Sequence, residues 1–174
     1  MKKCSKYFSY RDFFECSDTY KSNPCDNTPK EAETYKAIEN LSVSILDKVY
    51  EAFGPIVLTY GFCSFELSKK IKKNIYPKLD QHSGYEKRNG KFICERLGFA
   101  SDFYIPNNSS LEVARYIVSS LPFDRIYYYG SDNPIHVSTN DNPKGSIVLM
   151  PKIEKRRMPR RISRDNFLNN EISF

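Results

Sequence analysis

An α+β fold, with helices packed on a mostly antiparallel sheet, is what the order of hydrophobic patterns in this chain predicts. Three observations carry that expectation. Two long stretches repeat apolar residues at helical spacing. Several short runs rich in β-branched and aromatic residues are bounded by Gly, Pro and Asn, as strands are. The last three such runs follow one another through short turns, which suits antiparallel pairing rather than the long crossovers of a parallel sheet.

The first helix is expected in "NTPKEAETYKAIENLSVSILDKVYEAFGP". Thr28 can cap it, Pro29 suits its first turn and Glu31 completes a capping box. Tyr35, Ile38, Leu41, Ile45, Leu46, Val49 and Phe53 then line one face, and Gly54-Pro55 stops the helix. "IVLTYGF" reads as a buried strand, and "SFELSKKIKKNI" as a helix with a basic outer face. Residues 77–97 read as a loop, broken by Pro77, Gly84 and Asn89-Gly90. "FASDFYI" is the next strand. "SSLEVARYIVSSLP" is a helix capped by Ser109, with Glu112 three residues on. "DRIYYYG", "PIHVSTN" and "GSIVLMPKI" complete the strands, and Asn142-Pro143-Lys144-Gly145 is the expected turn between the last two. There is no internal repeat.

The 174 residues suit one domain, and 40% hydrophobic content is enough for a sizeable core. The net charge of +6 is concentrated near the end. Between Pro151 and Asp165 seven basic residues face two acidic ones. The expected organisation is therefore a domain over 1–150 and a basic C-terminal tail over 151–174. Such a tail is either a solvated end or an arm for nucleic acid, with Arg156, Arg157, Arg160 and Arg161 as its contacts. Five cysteines, an odd number with no CxxC pair, argue against a disulfide framework and for reduced thiols in a cytoplasmic setting. The opening "MKKCSKYFSYRDFFEC" lacks the apolar run of a secretory leader, and no stretch reaches the ~20 apolar residues that span a bilayer.

The chemistry-bearing residues are few. His82 in "KLDQHSGYE" and His136 in "PIHVS" are the chain's two histidines, and Asp102 in "GFASD" lies between them. Two imidazoles and a carboxylate would supply three ligands to a zinc ion and leave a position for water. Spacing alone is weak support. His136 by itself reads more readily as a packed strand residue than as a ligand, and His82 by itself as a solvated loop residue.

The same residues resemble the superfamily of zinc D-Ala-D-Ala carboxypeptidases and L-alanyl-D-glutamate endopeptidases, whose fold is shared with the Hedgehog signalling domain. "GFASD" matches the G-x-A-x-D part of the family pattern S-x-H-x-x-G-x-A-x-D. "FDRIYYYGSDNPIHVS" resembles the closing segment that ends in the last ligand histidine, and the stretch from Tyr7 to "YGFCS" resembles the opening. The resemblance spans residues 7–150. It implies a zinc-dependent hydrolase of amide bonds in a peptide-like substrate, such as cell-wall peptide, with His82, Asp102 and His136 holding the ion.

Three departures qualify it. The family's first histidine position is Glu95 here, so "DQH" at 80–82 takes its place through an insertion, with Cys94 or Glu95 as alternative ligands. The arginine of the family's S-G-Y-R-S is replaced by Cys63. The usual catalytic acid position is Asn133, which leaves Asp132, or Glu86 from the 83–97 loop, to move protons. The alternative implied by these losses is a metal-binding module of the same fold that binds nucleic acid or a protein through its basic tail.

Overall fold

The computed structural model describes residues 2–72, 76–154 and 156–172. Lys73, Asn74 and Ile75 of the expected basic helix, and Lys155 of the expected basic tail, lie outside the described residues.

The chain opens with two short helices, α1 (Tyr10–Glu15) and α2 (Asp18–Ser22). The Ser9 N–H and hydroxyl both donate to the Asp12 carboxylate, which holds the first turn of α1, and α1 buries Phe13 completely. The long amphipathic pattern forms α3 (Ala32–Leu41) and α4 (Asp47–Phe53), joined without a break by a wider π-type turn over Ser42–Leu46. That turn absorbs one extra residue, so Ile38 and Leu41 before it, Ile45 and Leu46 within it and Val49 after it all stay fully buried. Each such side chain contributes about 1.5–3 kcal/mol through burial. The helix starts later than Thr28 and Pro29 suggest, for a reason given below.

β1 (Val57–Tyr60) follows, then the single turn α5 (Phe65–Ser68), which is all of the expected helix 64–75 that forms among the described residues. The 77–97 region is a loop with structure of its own. It holds two 3₁₀ turns, Pro77–Leu79 and Gln81–Ser83, and a small hairpin of β2 (Lys87–Arg88) and β3 (Lys91–Phe92) turning at Asn89-Gly90. β4 (Phe99–Tyr104) leads to α6 (Ser110–Ser120), capped by Ser109, whose hydroxyl accepts from the Leu111 N–H. Then come β5 (Arg125–Tyr128), β6 (Ile135–Thr139) and β7 (Ser146–Leu149). β8 (Lys152–Ile153) and β9 (Arg156–Arg157) pair as a ribbon, and β10 (Arg160–Ile162) and α7 (Arg164–Asn169) close the described chain.

Six strands make the main sheet, in the order β1-β4-β6-β5-β7-β10. All neighbours are antiparallel except β5 and β7. The expected hairpin between the last two strands is therefore corrected. Both edges of β6 are already taken by β4 and β5, so residues 140–145 cross to the free edge of β5. There the Lys144 N–H donates to Asp124 Oδ1 and the Ser146 N–H to the Asp124 carbonyl. β1 is an edge strand and only half buried, against the expectation of a buried one.

Register divides the sheet into two faces. Leu58, Phe103 and Ile135 align across β1, β4 and β6, and Val137, Ile126, Ile147 and Ile162 continue that face across β6, β5, β7 and β10. α3 packs on β4 and β6, and α6 packs on β5, to close the core against it. The segment expected as a tail is part of this body. β10 pairs along β7, and Phe167 of α7 is fully buried with its ring against Tyr128. Arg115 of α6 donates to the carbonyls of Phe167 and Asn170, tying α7 down. The charge run concealed these anchors, because Ile162, Phe167 and Leu168 are too sparse to read as an apolar pattern.

Candidate metal centre

The opposite face carries the chemistry. One straight row crosses all six strands: Tyr60, Asp102, His136, Tyr127, Val148 and Arg161 are successive register partners. Directly opposed residues on neighbouring antiparallel strands bring their side chains together. Asp102 and His136 do so, with His136 Nδ1 2.8 Å from Asp102 Oδ1. The Tyr127 ring stacks on His136 at 4.7 Å between centroids and fixes its plane.

His82 arrives from above the sheet, on the 3₁₀ turn Gln81–Ser83, and each residue of "DQH" holds that turn. Asp80 Oδ1 accepts from the His82 N–H. Gln81 is buried, donating to Asp124 Oδ2 and the Leu97 carbonyl and accepting from the Ser138 hydroxyl. The His82 carbonyl accepts from the Cys63 N–H. His82 Nδ1 lies 2.8 Å from the Gly61 carbonyl oxygen, which can only accept, so Nδ1 carries a proton and Nε2 faces the sheet. Nε2 stands 3.2 Å from His136 Nδ1 and 3.3 Å from Asp102 Oδ1.

Three electron-rich atoms thus crowd one point. Such an arrangement is repulsive unless positive charge sits among them. Burial opposes a charged His82, but Asp102 and Asp80 outweigh it and raise its pKa. Burial likewise opposes a charged Asp102, and His82 and His136 overcome this to hold its carboxyl well below the usual range. A metal ion fits the same point. Ligands at the 2.0–2.2 Å typical of zinc sit about 3.3 Å apart around a tetrahedral ion, close to two of the three separations found. His82, Asp102 and His136 therefore form a group that can hold a metal ion, and it is the one such group among the described residues.

The other expected site residues lie elsewhere. Cys94 is buried outside the group, with its thiol pushed up by burial, and exposed Glu95 pairs with Lys78 at 3.1 Å. Neither stands with the histidines, because the 83–97 segment folds into its own hairpin. Asp132 is exposed in the turn before β6 and does not line the cavity over the triad. Glu86 does not line it either. Its buried carboxylate accepts from the N–H groups of Lys30 and Glu31 at 3.1 Å and from the Thr34 hydroxyl at 2.9 Å. It is the cap of α3, supplied from a distant loop, and it explains why the helix begins at Ala32. Glu86→Ala is expected to cost about 2–3 kcal/mol in urea unfolding, since buried donors lose their acceptor, with metal content unchanged in the folded protein.

The triad opens into a cavity of about 680 Å³. Asp80 is its second carboxylate, and Arg96, Arg125, Arg157 and Arg161 line its walls. Arg96 donates to the Tyr127 hydroxyl at 2.6 Å, and Arg157 lies over the Tyr129 ring. Of the four tail arginines, Arg157 and Arg161 thus face the cavity, while Arg156 and Arg160 are exposed and do not line it. Arg125 carried no motif in the sequence, yet alternation in "DRIYYYG" puts it on the same face as Tyr127, the signal by which it is recognisable.

Among the described residues no helix is long and apolar enough to cross a membrane, and all five cysteines are free. Comparison of the chain with family models, curated proteins and solved structures finds no match.

Proposed function

We propose that the chain is a zinc-dependent hydrolase acting on an amide bond of a peptide-like substrate. The observation that carries the reading is the convergence of His82 Nε2, His136 Nδ1 and Asp102 Oδ1 on one point at the floor of a cavity. Two nitrogens and one carboxylate oxygen are a zinc-type donor set, and three protein ligands leave room for water and substrate. The resemblance of "GFASD" and "PIHVS" to the zinc carboxypeptidase and endopeptidase superfamily points to amide chemistry.

A zinc ion bound there supplies Lewis-acid chemistry, polarising a carbonyl oxygen and bringing the pKa of a water toward ~7. The chain's own part is proton transfer and orientation. Asp80 is the cavity carboxylate left over from the triad. It accepts a proton as the water oxygen bonds to the carbonyl carbon. It returns that proton to the nitrogen as the C–N bond breaks, leaving a carboxylic acid and an amine. Gly61 and Tyr127 keep the two imidazoles in their ligating orientation.

The test is turnover of a library of muropeptides and dipeptides by zinc-loaded protein, read by product mass. Product that disappears on chelation is expected. Asp80→Asn keeps the oxygen that caps His82 but takes up no proton, so kcat is expected to fall ~10²–10⁴-fold with zinc content unchanged. A fully zinc-loaded protein that cleaves nothing in the library would overturn the hydrolase reading.

A further inference from the structure

The cavity walls carry more positive charge than the triad needs. Two carboxylates, Asp80 and Asp102, share the cavity with four guanidiniums, those of Arg96, Arg125, Arg157 and Arg161. Arg125 is the decisive residue. It is only 9% exposed, lies at the start of β5 and lines the cavity. Its Nε is buried and donates no hydrogen bond. Asp124 is its ion-pair partner, with Oδ2 3.3 Å from that Nε but without the geometry of a hydrogen bond. Both Asp124 oxygens are already engaged, by Gln81 and by the Lys144 N–H. Asp124 thus gives Arg125 a shared counter-charge and no hydrogen bond, which leaves the guanidinium incompletely satisfied.

Two further guanidiniums face the same space. Arg161 is the sheet-edge member of the row that contains His136, and Arg157 reaches in from the β8–β9 ribbon. Guanidinium forks match tetrahedral and planar oxyanions, and several around one cavity favour an anion of more than one charge. We infer that Arg125, Arg161 and Arg157 form a binding site for a phosphomonoester group, so that the molecule taken up beside the triad is phosphorylated. This deepens the hydrolase reading and rests on it for the word substrate. The anion site itself uses none of the three ligand residues.

The experiment is calorimetric titration with inorganic phosphate and with acetate at constant ionic strength, on zinc-loaded and on chelated protein. One phosphate per chain is expected in both forms, bound at least tenfold more tightly than acetate. Arg161→Gln, an exposed position that leaves the core intact, and Arg125→Gln are each expected to weaken phosphate roughly tenfold or more, with zinc content unchanged. A nucleoside 5′-monophosphate and O-phosphoserine then separate two sources of the group, and tighter binding of either one supports the site. Equal binding of acetate, or phosphate binding that Arg161→Gln leaves intact, overturns it. Phosphate that binds only with zinc present and regardless of Arg161 is held by the metal, which also overturns the arginine site. Arginine-dependent phosphate binding in a protein that takes up no zinc would sink the hydrolase reading alone.

Discussion

Protein purified without chelator is expected to carry one zinc ion per chain by elemental analysis, and His136→Ala to carry none. The expectation follows from how many contacts already hold the ligands. His82 is fixed by the Gly61 carbonyl and by the Asp80 cap, and His136 by the register of β6 against β4 and by the Tyr127 ring. Little ordering remains to be done when the ion binds, so the donor set is preorganised. Loss of an outer partner of a ligand typically costs 10–100-fold in affinity, so loss of a ligand itself is expected to cost more than ~100-fold. His82→Ala should match His136→Ala, whereas Glu86→Ala should keep its zinc. The pH dependence has a definite sign. Zinc needs His82 neutral, and Asp102 and Asp80 raise the pKa at which it becomes so. Affinity therefore falls as pH is lowered, and it does so from a higher pH than an ordinary imidazole would give. Zinc retained in the double variant of His82 and His136 would place the metal elsewhere and end the triad reading.

Much of this molecule is legible in its sequence because local rules and the fold agree. Ser109 caps α6 as its side chain allows, and "PIHVS" alternates core and site residues as a strand must. The triad is visible because histidine is so scarce in this chain. What is hidden depends on distant partners. Nothing near Glu86 says that its carboxylate will cap a helix more than fifty residues earlier. Nothing in Asn142-Pro143-Lys144-Gly145 says that both edges of β6 are taken, which is what turns a hairpin into a crossing. The C-terminal arginines read as a solvated arm because charge dominates local pattern. Three buried or half-buried apolar side chains, Ile162, Phe167 and Leu168, are enough to fold that segment back and turn two of its arginines into a cavity wall.

Gly98→Ala is expected to cost about 2–5 kcal/mol and to loosen the metal site without touching a ligand. Gly98 has φ +78°, a conformation that costs a residue with a Cβ about 1–2 kcal/mol. A Cβ there would also lie 2.0 Å from the Thr139 carbonyl oxygen and 3.0 Å from its carbon. Those are backbone atoms at the end of β6, and they retreat only if β6 moves away from β4. The clash adds a further 1–3 kcal/mol. In a chain of this length the sum lowers the midpoint of thermal unfolding by roughly 4–20 °C. The damage reaches the chemistry because Phe99 against Thr139 is the first rung of the ladder whose fourth rung is Asp102 against His136. Strands pushed apart at one end pull the carboxylate from the imidazole, so zinc affinity falls along with stability. Gly90→Ala is the control. Its φ is +73° but nothing lies within 4 Å of the added carbon, so it carries the conformational cost alone. The difference between the two variants isolates the close approach of strands that Gly98 permits. If both cost the same, and both keep full zinc affinity, then the glycine of "GFASD" serves only its own turn and the coupling from strand pairing to metal geometry argued here is wrong.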